Sequence, residues 1–325
     1  MLVITIKYAW PLNKLNIISY IINTFIIMNN IHNTVEEAKE NVDPTKVEEG
    51  WTIKGKIDEI MLDAWETLEC WNTSITVFPE RGGHILSIKI DGIELLYQDM
   101  YSDTLFDFSK SVKWGIPYMF PNAWPLNDAQ INKLWCTLPQ HWIWRISAWE
   151  KLNWSWSKEF IQMFRFKDDE RFPYIWEVRN SIKSGQWSVK INHEISNNGE
   201  KDIPLSTWLH PYFRVPEGKK DKIEWKFEWW DIISSQVDIW ANDWTVSFNN
   251  PWYPLTILIP GLGELILEVS LEYKKFWVWS LPGKDFVCIE PVMNDVWWLA
   301  DNPIMLKSGE KNLNFMNIRL NNFEE

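Results

Sequence analysis

From Ile53 onward the apolar positions recur with a period of two. Leu265, Leu267, Val269, Leu271 and Tyr273 fall on one face, and Glu264, Glu268 and Glu272 on the other. Leu86, Ile88 and Ile90 alternate with Ser87, Lys89 and Asp91, after which Gly92 turns the chain. Val189, Ile191 and Ile195 alternate with Lys190, Asn192 and Glu194. Ile223, Trp225 and Phe227 do the same with Glu224, Lys226 and Glu228. Successive side chains of a strand point to opposite faces, so this pattern predicts half-buried antiparallel sheet. It runs to about Arg319 without a long amphipathic helix, a fixed-period repeat or a linker. The expectation is an all-β chain, with one large antiparallel β-sandwich over residues 51–325.

Residues 1–50 read as an extension to that domain. Lys7 and Lys14 precede an apolar stretch from Leu15 to Ile27, interrupted by Asn16, Ser19, Asn23 and Thr24. The stretch is shorter than the roughly 20 residues a membrane span needs. No small-x-small cleavage site follows it, and Met28 offers a second start, so it reads as a start assigned too early rather than a targeting segment. Residues 29–50 are polar and acidic; Thr34 with Glu37 could cap one short helix, or the segment could be a disordered tail.

Composition narrows the function. The formal net charge of -12 speaks against a nucleic-acid partner, because phosphate backbones select basic surfaces. Cys70, Cys136 and Cys288 lie far apart without metal spacing, and read as free thiols in a reducing, cytoplasmic compartment. The chain carries no G-x-G-x-x-G, Walker loop, H-E-x-x-H or C-x-x-C, so neither a nucleotide cofactor nor a bound metal is expected. The expected partner is a small molecule, with no membrane, and the chain is expected as a monomer or weak dimer.

One count is abnormal: 25 Trp against 13 Gly. Average usage would give about 7% Gly, roughly 23 residues here. Asn153-Trp154-Ser155-Trp156-Ser157, Glu228-Trp229-Trp230-Asp231 and Asn242-Asp243-Trp244-Thr245 sit between strand-like runs. A hairpin there wants Asn-Gly or Asp-Gly, because the turn needs φ > 0, and Trp is a poor choice. One reading is a Trp-rich core or a sugar-stacking surface. The other is that many of these positions are Gly in the cell, encoded by UGA codons translated as Trp.

Five histidines are the candidate acid–base groups. His32 lies in the polar extension, His193 shares a strand face with Ile191 and Ile195, and His84 follows Gly82-Gly83 at a strand start. His141 stands in Leu138-Pro139-Gln140-His141-Trp142-Ile143-Trp144-Arg145, and His210 in Thr207-Trp208-Leu209-His210-Pro211-Tyr212-Phe213. Glu290 interrupts the apolar run Phe286-Val287-Cys288-Ile289 just before Pro291, where a carboxylate is either paired or functional.

Read with Gly for some Trp, Lys110 to Leu126 becomes K-S-V-K-G-G-I-P-Y-M-F-P-N-A-G-P-L, Gln140 to Arg145 becomes Q-H-G-I-G-R, and Trp208 to Phe213 becomes G-L-H-P-Y-F. With Val278 to Pro291 as it stands, these segments resemble the aldose 1-epimerase family, in that family's order, from about Ile75 to Arg319. The hexose-6-phosphate 1-epimerase branch is the nearer resemblance. It implies a galactose mutarotase-like supersandwich acting on an aldohexose or a hexose 6-phosphate. It also implies Glu290 as base, His210 as acid, and His141, Arg145, Gln140 and Asn122 as substrate ligands.

Three departures stand out. The Arg that free-sugar mutarotases carry soon after F-P is missing from Asn122-Ala123-Trp124. The phosphosugar branch usually has Arg before Gly-Gly, and here it is Lys113. The Asp that often helps bind substrate has two candidates, Asp238 and Asp243, neither in a matching motif. Lys113 with Arg81 or Arg145 is the expected phosphate site. A non-catalytic carbohydrate-binding protein on the same sandwich is the alternative.

Overall fold

The computed structural model describes residues 65–99, 103–105, 107, 110–122, 126–134, 136, 138, 141, 143–152, 158–167, 169, 171–226, 245–294, 299 and 302–321. The chain divides into units 1–64 and 65–325, and all described residues belong to the second. The expected extension over 1–50 and the first part of the expected β domain, 51–64, lie outside them.

The architecture is the expected antiparallel β-sandwich. The larger sheet has eight strands. In spatial order they are Glu224–Lys226, Leu255–Ile259, Gly263–Val269, Lys311–Asn321, Ser188–Asn197, Trp176–Gly185, Glu159–Phe166 and Glu150–Lys151. The second sheet runs Thr245–Asn249, Lys275–Trp279, Phe286–Val292, Trp208–Leu209 and Tyr118–Met119, with Tyr212–Arg214 also paired to Phe286–Val292. A four-stranded meander over residues 66–94 and the pair Ile203–Leu205 with Ile304–Leu306 complete the sheets. Asp128–Leu134 forms a short α-helix.

The period of two is what builds these layers. In Trp176–Gly185 the residues Trp176, Val178, Asn180, Ile182 and Ser184 turn inward, while Arg179 and Lys183 are exposed. Val189, Ile191 and Ile195 are fully buried beside them, as are Ile257, Leu265 and Ile318 from the neighbouring strands. These join Tyr118, Leu209, Val287 and Ile289 of the second sheet in one apolar cluster. Each such side chain contributes roughly 1.5–3 kcal/mol on burial. The Asp91-Gly92 connection has φ of 54° and 77°, the pair of positive angles that a two-residue type I′ hairpin demands.

Two local expectations fail. The alternation read through Leu271 and Tyr273 stops at Val269. The chain then turns, with the Tyr273 N–H donating to the Ser270 carbonyl at 3.1 Å, and Leu271 is left 54% exposed. A proline inside an apolar run reads as a strand end, yet beyond Pro291 the strand continues to Val292. Proline removes one donor only. The ladder resumes one residue later, where Val292 pairs with both Trp208 and Lys275.

Polar residues on inward faces are joined to one another. Gln162 Nε2 donates to the Gly83 carbonyl at 2.9 Å and to Asn180 Oδ1 at 3.0 Å, and Tyr118 Oη donates to the same Oδ1 at 3.2 Å. His193 is 1% exposed, as its strand face implied, with Nδ1 3.3 Å from Asn314 Oδ1. Burial holds its pKa down at about 4.

That depression has a definite sign. The unfolded chain binds a proton at His193 below about pH 6.5 while the native state does not, so stability falls as pH drops. His193→Asn is expected to flatten the decline between pH 7.5 and 5.5 by about 1.4 kcal/mol. Urea denaturation at the two pH values tests it, and an unchanged slope would mean that His193 is charged in the native state.

Candidate active site

The site is organised around the strand Phe286–Val292, in which all seven residues are buried. Its alternation sends Glu290 out with Cys288 and Val292, away from the side that Val287 and Ile289 supply to the main core. Glu290 is 3% exposed. His210 follows the neighbouring strand Trp208–Leu209, and its N–H donates to the Pro117 carbonyl at 3.3 Å. Two residues on, the Tyr212 N–H donates to the Gly115 carbonyl at 2.9 Å. The loop that carries Lys113 is thereby fastened beside His210. Gly115 is required in it: φ is 68°, and a Cβ would lie 2.4 Å from the Ile85 carbonyl oxygen.

His141 arrives on a separate loop. The Ile143 N–H donates to the Phe120 carbonyl at 2.6 Å, and Arg145 Nε donates to the His141 carbonyl at 2.8 Å. His141 itself has φ of 56°, a left-handed conformation in which histidine is several-fold enriched over most residues. Such strain tends to be held at functional sites. Behind the loop, Gly82 packs so closely that a Cβ there would sit 2.4 Å from Arg145 Cα.

These segments enclose a cleft of about 390 Å³, lined by Ser111, Lys113, His141, His210, Trp279 and Glu290 among others. His210 Nε2 lies 3.6 Å from Glu290 Oε1, an ion-pair distance just beyond a hydrogen bond. The His141 and His210 rings are 6.3 Å apart and perpendicular, at 86°. Tyr212 stacks on His210 at 4.6 Å and 3°, and Trp279 meets His210 edge-on at 5.8 Å.

Burial dominates the electrostatics. It drives the Glu290 carboxyl well above the usual range. It also drives the His210 imidazole well below its usual value, helped by His141, Lys113 and Arg145. His141 is half-buried as a residue, but its ring is enclosed. Desolvation first, then the charges of Arg145 and Lys113, lower its pKa to about 3. A base role for Glu290 calls for an ionised carboxylate; in the empty cleft both members of the pair prefer their neutral forms. At 3.6 Å the two groups are close enough to share the one proton that the neutral carboxyl carries.

Glu290, His210 and Cys288 each place one potential metal-donor atom within 4.8 Å of the others. Burial also raises the Cys288 thiol well above its usual pKa, so a cation would have to displace protons from both thiol and carboxyl in an apolar setting.

The sequence itself matches no protein-family model and no curated protein. Solved structures do match. A protein from Synechocystis sp. PCC 6803 superposes with a TM-score of 0.67 at 21% identity, over 78% of this chain and 94% of its own. A galactose mutarotase-like protein from Clostridium acetobutylicum gives 0.62 at 16%, over 79% and 95%. A protein from Escherichia coli K12, described as a candidate aldose 1-epimerase, gives 0.61 at 16%, over 80% and 99%. The fold is galactose mutarotase-like.

On this galactose mutarotase-like scaffold the expected site residues separate into groups. His210, Glu290, His141 and Lys113 line one cleft. Arg145 stands behind His141 and holds its carbonyl. Asn122 is buried next to the loop, after the cis Phe120–Pro121 bond. Arg81 is 1% exposed, and one of its terminal nitrogens donates to the carbonyls of Thr104, Asp107 and Lys110, so it braces a loop. Gln140, Asp238 and Asp243 lie outside the described residues. His84 is buried, with Nε2 2.8 Å from the Trp114 carbonyl and its pKa lowered by desolvation to about 3.

Tyr212, Trp279, Met119 and Thr245 line the cleft as well, and reading the sequence did not single them out. Tyr212 was findable: it lies two residues after His210, the spacing that returns a side chain to the same side of an extended chain. The same contacts make Gly82 a test of the loop. Gly82→Ala is expected to cost about 2 kcal/mol or more, because φ is 72° and the new methyl meets backbone. A chemical-denaturation midpoint unchanged from the parent would show that the His141–Arg145 loop yields freely.

Proposed function

We propose that the chain is an aldose 1-epimerase that interconverts the α and β anomers of an aldohexose or hexose 6-phosphate. One observation carries this reading: a buried His210–Glu290 pair, 3.6 Å apart, opens into a cleft that His141 also enters. Anomer exchange requires ring opening. A base takes the proton of the C1 hydroxyl, an acid protonates the ring oxygen, the C1–C2 bond rotates, and the ring closes on the other face. The pair needs one carboxylate and one imidazolium for this, which is its single proton placed on His210.

In the empty cleft that proton belongs on Glu290, because a neutral pair is cheaper to bury. Sugar hydroxyls entering the cleft supply hydrogen bonds that favour the charged arrangement, with Glu290 as base and His210 as acid. Each role is worth typically 10²–10⁴-fold. Tyr212, stacked on His210, keeps the imidazole plane fixed.

Glu290→Gln keeps the volume and removes the basicity. Its expected effect is a fall in kcat of about 10²-fold or more with folding intact, read by polarimetry or exchange NMR on glucose, galactose and glucose 6-phosphate. A folded Gln variant that exchanges anomers at the parent rate would remove Glu290 from the mechanism. The carbohydrate-binding alternative is favoured by the indole and phenol surfaces of Trp279 and Tyr212 in the cleft. It would take first place if the parent protein bound sugar without exchanging anomers.

For a phosphorylated substrate the cation in the cleft wall is Lys113, an exposed side chain with Nζ 6.0 Å from the Trp279 ring centroid. Lysine binds phosphate as a point charge. Lys113→Ala is expected to raise KM for glucose 6-phosphate by about tenfold and leave glucose turnover unchanged, since one charge-assisted hydrogen bond is worth about 1.5 kcal/mol or more. Equal effects on both sugars would exclude the lysine from phosphate binding.

A further inference from the structure

Among the described residues, thirteen have φ in the left-handed range, and eight of them are glycine. Of the other five, Asp91 and His141 belong to residue types that tolerate this region. The remaining three are all tryptophan: Trp71 at 58°, Trp187 at 62° and Trp252 at 70°. Each sits in a tight turn where the positive angle has a defined place. Trp71 is the first of two residues joining Glu66–Cys70 to Thr73–Phe78, with Cys70 and Thr73 paired. A positive φ at that first position is the type II′ arrangement, which takes Gly there. Trp187 is the second residue of the Gln186-Trp187 connection between paired Gly185 and Ser188. Trp252 follows Pro251, and its N–H donates to Asn250 Oδ1 at 3.2 Å. Proline followed by a residue of positive φ is the type II pattern, with Gly in the second place.

Lys158 Nζ lies 4.6 Å from the Trp71 ring centroid and Lys274 Nζ 5.9 Å from that of Trp252, exposed cation–π contacts worth about 0.5–1 kcal/mol each. The three residues are 70%, 38% and 67% exposed, so packing does not hold the strained backbone in place. The Cβ itself is what this region of φ disfavours, at a cost of about 1–3 kcal/mol, and exposed cation–π contacts return less than that.

The cleft repeats the anomaly in buried form. Trp208 is 4% exposed, its Nε1–H has no hydrogen-bond partner, and its ring packs across Trp277 at 4.7 Å in the wall beside Glu290 and His210. A glycine in a strand interior is the usual device where a ligand must approach the backbone closely.

We propose that positions 71, 187 and 252, and with them position 208, carry glycine in the protein that the cell makes, their codons being UGA read as glycine. The cleft is then deeper by the volume of one indole, at the point where a sugar ring would lie against the strand Trp208–Leu209. This last step rests on the reading of the cleft as a sugar site; the identity of the residues does not.

Peptide mass spectrometry of the protein isolated from its native cells is the deciding experiment, because glycine and tryptophan peptides differ grossly in mass. Glycine at all four positions is the expected result. Tryptophan at 71, 187 and 252 would overturn the proposal, and tryptophan at 208 with glycine at the turns would overturn its extension to the cleft. Two measurements on recombinant chain run in parallel. Trp252→Gly, Trp187→Gly and Trp71→Gly should each raise Tm by about 2–4 °C, and a fall in Tm for all three would count against strained turns. Trp208→Gly should tighten glucose or glucose 6-phosphate binding about tenfold or more in calorimetry, and weaker binding would refute the enlarged cleft. If the native peptides carry glycine and the glycine-containing protein neither binds nor exchanges sugars, the residue assignment stands and the epimerase function falls.

Discussion

Burying one carboxyl in the middle of a fully buried strand is the constraint from which the rest of the site follows. Glu290 cannot lie in Phe286–Val292 as an isolated anion, since desolvation alone would cost several kcal/mol. It is held either as a neutral acid or as half of a pair, and His210 at 3.6 Å makes the second form accessible. For the pair to meet, two strands adjacent in the sheet must deliver side chains to the same face, and the Trp208–Val292 register arranges this. That register lies across three segments far apart in sequence, because Trp208 also pairs with Met119.

The loops around the pair are fixed by backbone geometry more than by side-chain contacts. Gly115 lets the Lys113 loop lie against the Ile85 carbonyl, and Gly82 lets the Arg145 backbone close on the strand start. Both glycines adopt positive φ, as does His141 itself. A cleft wall built from left-handed positions is stiff, because few other conformations close the same loops. Stiffness suits proton transfer, where donor and acceptor must remain within hydrogen-bond reach while the substrate ring opens and rotates.

The sheet architecture was legible from alternation because both main sheets turn one face inward, and the inward set at Val178, Ile182, Val189, Ile191 and Leu265 is the apolar half of that pattern. Strand ends were less legible. Leu271 continues the periodicity in sequence but belongs to a turn, since the Ser270–Tyr273 hydrogen bond and not the side chain decides where the ladder stops. Of the site, Glu290 stood out as a charge in an apolar run, and His141 and His210 through motifs. Arg81 was read as a candidate phosphate ligand; the carbonyls of Thr104, Asp107 and Lys110 engage it, and carbonyl partners leave no trace in a side-chain pattern. Trp279 and Tyr212 were missed for the converse reason, since aromatic residues in strands are ordinary core material until the tertiary structure shows which face a cleft.

The energetic preference for a neutral pair bears directly on how such a site can work. Tyr212 and Trp279 pack their rings on His210, with Phe286 against Tyr212, and all lower the local dielectric. A low dielectric weakens the charged form of an empty site, but it strengthens every charge–dipole contact that a bound polyol makes. In the epimerase proposed above, the same wall that favours a protonated Glu290 would make its ionisation respond to the hydroxyls of a bound sugar. Lys113 and Arg145 act in the same sense: each lowers the basicity of His210, so an imidazolium formed there is a strong acid toward a ring oxygen. In the epimerase proposed above, His210 would give one proton to the ring oxygen while Glu290 takes another from the C1 hydroxyl, with no net change in the charge buried in the sheet.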